Sequence, residues 1–252
     1  MLPTLNEAEH LPAALASVQW AEDVIVVDGG STDDTVALAT AGGARVLVVT
    51  GQTIGAQRNA GIEAARHHWI LALDADERVT AELRAILAKL AESTDARYTA
   101  FRVRSRNFHL GGELRHGPWA SDWKVRVFTR DRRFTEVRVH ENIADLREVG
   151  TLEGTLLHYP YRDLAHHVMK AAKYARWAAA DLHERGRRAN LVDVMFRPWW
   201  RFVRDYFFLG CWRDGVRGFI VSMVSSFSVF LKYASLLTFT EGEMASRDRV
   251  RR

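Results

Sequence analysis

The run Trp69-Ile70-Leu71-Ala72-Leu73-Asp74-Ala75-Asp76-Glu77 limits what this chain can fold into more tightly than any other part of it. Its apolar half, 69–73, predicts a strand buried on both faces, and two carboxylates follow at i and i+2 where that strand runs out. Side chains two apart on extended backbone point the same way, so Asp74 and Asp76 are expected to converge. Two anions aimed at one point are costly unless a cation lies between them. A hard divalent ion such as Mg²⁺ or Mn²⁺, brought in on substrate phosphates, would supply it. The competing assignment makes Asp74 the cap of a helix beginning near Val79, with Asp76 and Glu77 favourable in its first turn.

The stretches around this strand predict alternating strands and helices. Leu2-Pro3-Thr4-Leu5-Asn6-Glu7 is a short first strand, truncated beside the whole strand that usually opens an α/β domain; Ala8 to Trp20 has helical spacing, with Asn6 as its N-cap. Asp23–Val27 is a buried strand, and Asp28-Gly29-Gly30-Ser31-Thr32-Asp33-Asp34-Thr35 turns from it into a second helix. Arg45–Val49 is a strand, Gly55–Arg66 a helix carrying Gln57-Arg58-Asn59-Ala60-Gly61, and a further helix runs from about Thr80 to Glu92. This alternation predicts a mostly parallel sheet flanked by helices, with ligands at the carboxyl ends of the strands, where Asp28, Asp74 and Asp76 fall. Asp33 and Asp34 suit the first turn of the second helix.

From Tyr98 the pattern changes to strand-like segments, 98–104, 124–128 and 151–157, and the long loop 111–122 carries ionisable groups of the kind that line acceptor sites. Beyond Pro160 the chain is helical: Leu164 to Arg185, then Met195–Leu209, which mixes rings with arginines, then the more apolar Phe219–Phe239. The domain plan is therefore a catalytic domain over 1–159, a helical extension over 160–240, and a charged tail, 241–252, expected to be disordered.

Net charge sharpens this division. Residues 1–159 hold 18 Lys+Arg against 22 Asp+Glu, whereas 160–252 hold 17 against 9, a balance of +8. A basic segment rich in Trp and Phe fits an interfacial helix on an anionic membrane surface; packing on the domain or on a second copy, and a true membrane span, are the alternatives. The one cysteine, Cys211, excludes an internal disulfide framework and a thiolate zinc cluster, and its aromatic neighbours mark it as core. No basic leader followed by an apolar run opens the sequence, so secretion is not expected.

Together these motifs resemble a family 2 glycosyltransferase of the GT-A fold, in particular the bacterial subgroup that builds lipopolysaccharide inner core. Leu2–Glu7 is similar to the nucleotide-contacting end of the family's first strand, Val26–Thr35 to its second signature, Arg58-Asn59-Ala60-Gly61 to its third and Leu73–Glu77 to its metal-binding DxD. The resemblance implies that Pro3, Thr4, Leu5, Glu7, Asp28, Arg58 and Asp74 bind the donor nucleotide, that Asp76 is the main metal ligand, and that His140 directs a further group at the metal or pyrophosphate. It makes Asp122, in Ser121-Asp122-Trp123-Lys124-Val125-Arg126, the general base, although family members usually place Glu where Ser121 stands. Gly29 likewise replaces a second Asp common in relatives. The implied reaction is inverting transfer of a sugar, glucose by subgroup, from a UDP-sugar to a lipid-linked saccharide, at the inner face of the bacterial inner membrane.

Blander assignments exist for single residues: Asp122 as a turn cap, Arg58 as a solvated helical cation, His109, His116 and His140 as structural or surface groups, and His67-His68 and His166-His167 as helix surface. Other functions compete too. A nucleotidyltransferase needs a glycine- and arginine-rich loop after strand one, which Asn6-Glu7-Ala8-Glu9 does not offer. A nucleic-acid binder explains the charge but not the β/α signatures, so no nucleic-acid partner is expected. A membrane-bound scaffold with a degenerate donor site remains the alternative.

Overall fold

The computed structural model describes residues 1–93, 97–120, 122–136, 142–144, 146 and 148–250, with side chains as far as Phe239. Two compact units form: Met1–Arg106 with Asp122–Tyr159, and Asn107–Ser121 with Pro160–Arg252.

In the first unit the chain runs β1 (Leu2–Thr4), α1 (Leu11–Val18), β2 (Ile25–Asp28), α2 (Thr35–Ala41), β3 (Arg45–Val48), α3 (Ile54–Ala64), β4 (Trp69–Leu71), β5 (Glu77–Val79) and α4 (Ala81–Glu92). Strands β1, β2 and β3 pair in parallel, in that order. Met1 continues the parallel pattern sideways, donating to the Leu71 carbonyl at 2.8 Å and accepting from the Leu73 N–H at 3.1 Å. Beyond β4 the pairing turns antiparallel. Strands β6 (Ala100–His109), β7 (Gly112–Glu113), β8 (Asp122–Thr129) and β9 (Gly150–His158) complete a second sheet of order β4-β8-β6-β9-β5, with β7 on β6. Val26 of β2 packs into one core with Leu2, Leu11 and Leu83, while Ile25 and Val27 enter another with Ile62 and Phe128. That alternation is what a strand buried on both faces requires.

Several predicted boundaries move, each for a local reason. Thr80, not Asp74, caps α4, its hydroxyl accepting from the Leu83 N–H at 3.2 Å. Asn6 does not cap the first helix, which begins only at Leu11; it takes φ +56° and its side chain accepts from the Thr32 N–H at 2.8 Å, tying the loop after β1 to the loop after β2. Gly30, at φ +100°, makes the tight turn after β2 possible.

The second unit holds α5 (Leu164–Glu184), α6 (Leu191–Val203) and α7 (Gly215–Val250). Asp163 caps α5, and Asn190 with Asp193 forms a capping box on α6. The tail expected to be disordered instead continues α7 as far as Val250, because extending a helix already anchored by packed turns needs no new nucleus. His167 is not on the helix surface: it is 2% exposed, with its Nδ1 3.0 Å from Nε2 of the equally buried His109 and its ring stacked on Tyr161. One imidazole must donate and the other accept, so the pair holds together only while at least one is neutral. Burial first, then the neighbouring His109, His166 and Lys170, push the His167 pKa down from 6.5 to about 4. A depressed histidine pKa contributes stability above its unfolded value that is lost as pH falls through it. The melting temperature should therefore drop between pH 6.5 and about 4, and His167→Gln should flatten that acid slope in a thermal melt followed by circular dichroism.

Candidate active site

The predicted convergence of Asp74 and Asp76 does not occur, because the backbone stops being extended before it reaches them. Strand β4 ends at Leu71, and the Glu77 N–H donates to the Asp74 carbonyl at 2.9 Å, closing a turn over 74–77. The two carboxylates then face different partners. Asp74 lies between Arg58 Nη2 at 2.7 Å and Arg126 Nη2 at 2.5 Å. Asp76 faces His158 Nε2 at 3.5 Å.

Arg126 reaches this point because β8 is irregular there. Its ladder with β6 pairs Arg102 with Val125 and Phe101 with Val127, leaving Arg126 as an extra residue. Such bulges re-aim a side chain. The Arg126 guanidinium, 4% exposed, also bonds Glu77 Oε1 at 2.6 Å, and Glu77 is fully buried with its Oε2 accepting the Asp74 N–H at 3.1 Å. Burial pushes both acids up, but Arg126 and Arg58 outweigh it at Asp74, which stays well below the ordinary carboxylate range. At Glu77 burial wins and the pKa is raised. The Arg126 guanidinium is held charged throughout.

The antiparallel register of β5 on β9 places Glu77 opposite His158, and the Tyr159 N–H donates to the Asp76 carbonyl at 2.8 Å. These bonds bring the imidazole to Asp76. Arg78 lies over the Tyr159 ring at 5.5 Å and donates to the Ala75 carbonyl at 2.9 Å, which ties it to the same turn. Asp122 opens β8 and pairs with Lys124 at 3.1 Å, both side chains partly exposed. The Lys124 charge also favours the ionised forms of Asp74 and Glu77, though at Glu77 burial outweighs it.

Asp28 is 1% exposed and organises the loop that follows it, accepting from the Gly30 and Ser31 N–H groups at 2.9 and 2.8 Å and from the Ser31 and Thr4 hydroxyls. Pro3 and Thr4 belong to β1, and Leu5 is exposed just beyond it. A Cβ on Gly29 would lie 2.7 Å from Gln57 Nε2, so the amide fills the space a side chain there would need. Arg58 is not a solvated cation: its side chain is 9% exposed, over the Phe134 ring at 4.9 Å. His140 and Ser121 lie outside the described residues. Sequence reasoning overlooked His158, Glu77 and the placement of Arg126; the signal for His158 was a histidine at the end of the last predicted strand. A separate cavity of about 640 Å³ opens at the other ends of the strands, beside Trp20 and Trp69, and shares no lining residue with this cluster.

The sequence profile of Glycosyl transferase family 2 matches residues 1–145, and the chain belongs to that family. It is therefore a glycosyltransferase of the GT-A fold. It is similar to the lipopolysaccharide core biosynthesis glycosyltransferase LpsC of Rhizobium meliloti (strain 1021), 29% identical over 240 residues that cover 92% of this chain and 88% of that one. An uncharacterized glycosyltransferase of Rickettsia bellii is 27% identical, covering 92% and 83%. Among solved structures, residues 1–349 of S. aureus TarS align at a TM-score of 0.46 and 14% identity over 96% of this chain and 90% of that one. Glucosyl-3-phosphoglycerate synthase from Mycobacterium tuberculosis, in complex with Mn²⁺, UDP and glucosyl-3-phosphoglycerate, aligns at 0.35 and 23% over 42% of each.

Removing one partner from a buried ion cluster leaves an uncompensated charge. Arg126→Met should cost about 3–5 kcal/mol in urea denaturation. Adding Glu77→Met should restore much of that loss, since Arg58 still neutralises Asp74.

Proposed function

We propose that this transferase is inverting and metal-dependent, and that it moves a sugar, glucose by its subgroup resemblance, from a UDP-sugar to a lipid-linked saccharide such as lipopolysaccharide inner core. The observation that carries this reading is the different partnering of the two carboxylates. Asp74 is fixed by arginines, whereas Asp76 places an oxygen donor 3.5 Å from the Nε2 nitrogen donor of His158. One carboxylate and one imidazole suit Mg²⁺ or Mn²⁺ when a diphosphate and water complete the shell. In this reading the donor's phosphates share the coordination with Asp76 and His158. A divalent ion bound there supplies Lewis-acid stabilisation of the charge on the departing diphosphate.

The chain's own residues do the rest. Pro3 and Thr4 of β1 and Leu5 and Glu7 just beyond it, with the turn held by Asp28, cradle the uridine; Arg58 and Arg126 orient Asp74 toward the donor. Asp122 takes the proton from the acceptor hydroxyl as it attacks the anomeric carbon. One base and no covalent intermediate give inversion. The working place is the cytoplasmic face of the inner membrane, where nucleotide sugars meet lipid-borne acceptors.

Asp122→Asn should bind UDP as tightly as the parent by calorimetry while transfer from UDP-glucose to truncated lipopolysaccharide falls by about 10²–10⁴-fold. Near-normal turnover would remove Asp122 from the mechanism. A parent chain that binds UDP but transfers nothing from any UDP-sugar would favour the scaffold.

A further inference from the structure

The second unit carries a surface that the transferase chemistry does not use. Helix α6 passes through a π-helical turn, Arg204–Phe208, then Gly210 at φ +77° and a short 3-10 turn, Cys211–Asp214, before Gly215 at φ +60° opens α7. This connection turns Cys211 inward at 2% exposure and leaves Phe207, Phe208 and Trp212 at 59%, 71% and 52%. Trp199 and Trp200 on α6 and Val216 at the start of α7 are also exposed, so the apolar surface runs from the helix onto the tip. Burying such side chains is worth about 1.5–3 kcal/mol each, a driving force that water leaves unused.

Cations frame this surface. Five arginines stand against three aspartates between Leu191 and Phe219. Arg201 and Arg204 both pair with Asp205, which is buried, so that triad keeps a positive excess. Arg213 sits over the Trp212 ring at 5.5 Å. Rings pointing outward from a collar of arginines match the boundary between acyl chains and anionic headgroups.

We propose that the α6–α7 connection inserts into one leaflet of an anionic bilayer, with Phe207, Phe208 and Trp212 as the wedge and the arginines at headgroup level. The proposal stands whether or not the donor assignment holds. A second copy of the chain is a poorer occupant, since a two-fold contact sets one +8 segment against another. A membrane span is also a poorer fit, although Cys211–Phe239 is long and apolar enough for one. The inward face of α7 is committed to its neighbours, with Ser226 donating to the Pro198 carbonyl of α6 at 2.7 Å and Leu236 packed on Ala179 of α5. Helix α5 carries Lys170, Lys173, Arg176, Asp181 and Glu184, and cannot follow α7 into hydrocarbon.

The test is flotation of the purified full chain with phosphatidylcholine vesicles, with and without phosphatidylglycerol, beside a variant carrying Phe207→Ser, Phe208→Ser and Trp212→Ser. The parent should float with the anionic vesicles and weakly with the neutral ones. The variant should partition about a thousandfold more weakly, with helicity and UDP affinity unchanged. If the triple variant loses helicity, Phe208→Ser alone should lower partitioning about tenfold. A parent that stays at the bottom, or a folded variant that floats like it, overturns the wedge. So does a parent dimer in light scattering that the variant abolishes, which would assign the face to a second copy.

Discussion

Arg126 is the group on which the catalytic unit depends. A single extra residue in β8 turns its guanidinium into the protein, where it meets Asp74 and Glu77 at 2.5 and 2.6 Å. Without it Asp74 would be left with Arg58 and Glu77 would lose the guanidinium that bonds its buried carboxylate, and Arg126 itself would be a stranded charge without them. The cluster also joins strands far apart in sequence, since Arg58 comes from α3, Asp74 and Glu77 from the turn after β4, and Arg126 from β8. Bulge, turn and helix are thus fixed by one electrostatic requirement.

That requirement separates the tasks of neighbouring acids. Asp74, Asp76 and Glu77 lie within four residues, yet each has a different environment: two guanidinium groups, an imidazole, and complete burial against one guanidinium. Different surroundings push neighbouring acids toward different roles. The ordering of the strands does the sorting. Because β5 lies antiparallel to β9 with Glu77 opposite His158, the adjacent Asp76 is the acid that meets the histidine.

Much of this was legible in the sequence. The β/α alternation as far as Glu92, the signatures at 26–35, 58–61 and 73–77, and the family they resemble all rest on short-range patterns, and short-range patterns survive without knowledge of tertiary contacts. The failures share a cause as well. Treating Asp74 and Asp76 as a converging pair assumed extended backbone, but Leu73 and Ala72 bond to different neighbours, Met1 and Arg126, and the chain turns immediately afterwards. His158, Glu77 and Arg126 act through pairings 49 to 82 residues distant, which no local period encodes. His167 looked like surface because its partner, His109, lies 58 residues away on β6. The role of α6 and α7 was legible only as composition; which rings face outward depends on the π-turn and the two positive-φ glycines.

We assign the metal to Asp76 with His158 rather than to Asp74. That assignment is tested most directly by electron paramagnetic resonance titration of Mn²⁺ in the presence of UDP, comparing the parent with Asp74→Asn, Asp76→Asn and His158→Gln. The account predicts that the Asp76 and His158 variants lose Mn²⁺ affinity by about tenfold or more, while Asp74→Asn stays close to the parent. Equal losses in the Asp74 and Asp76 variants, or full affinity in His158→Gln, would contradict it.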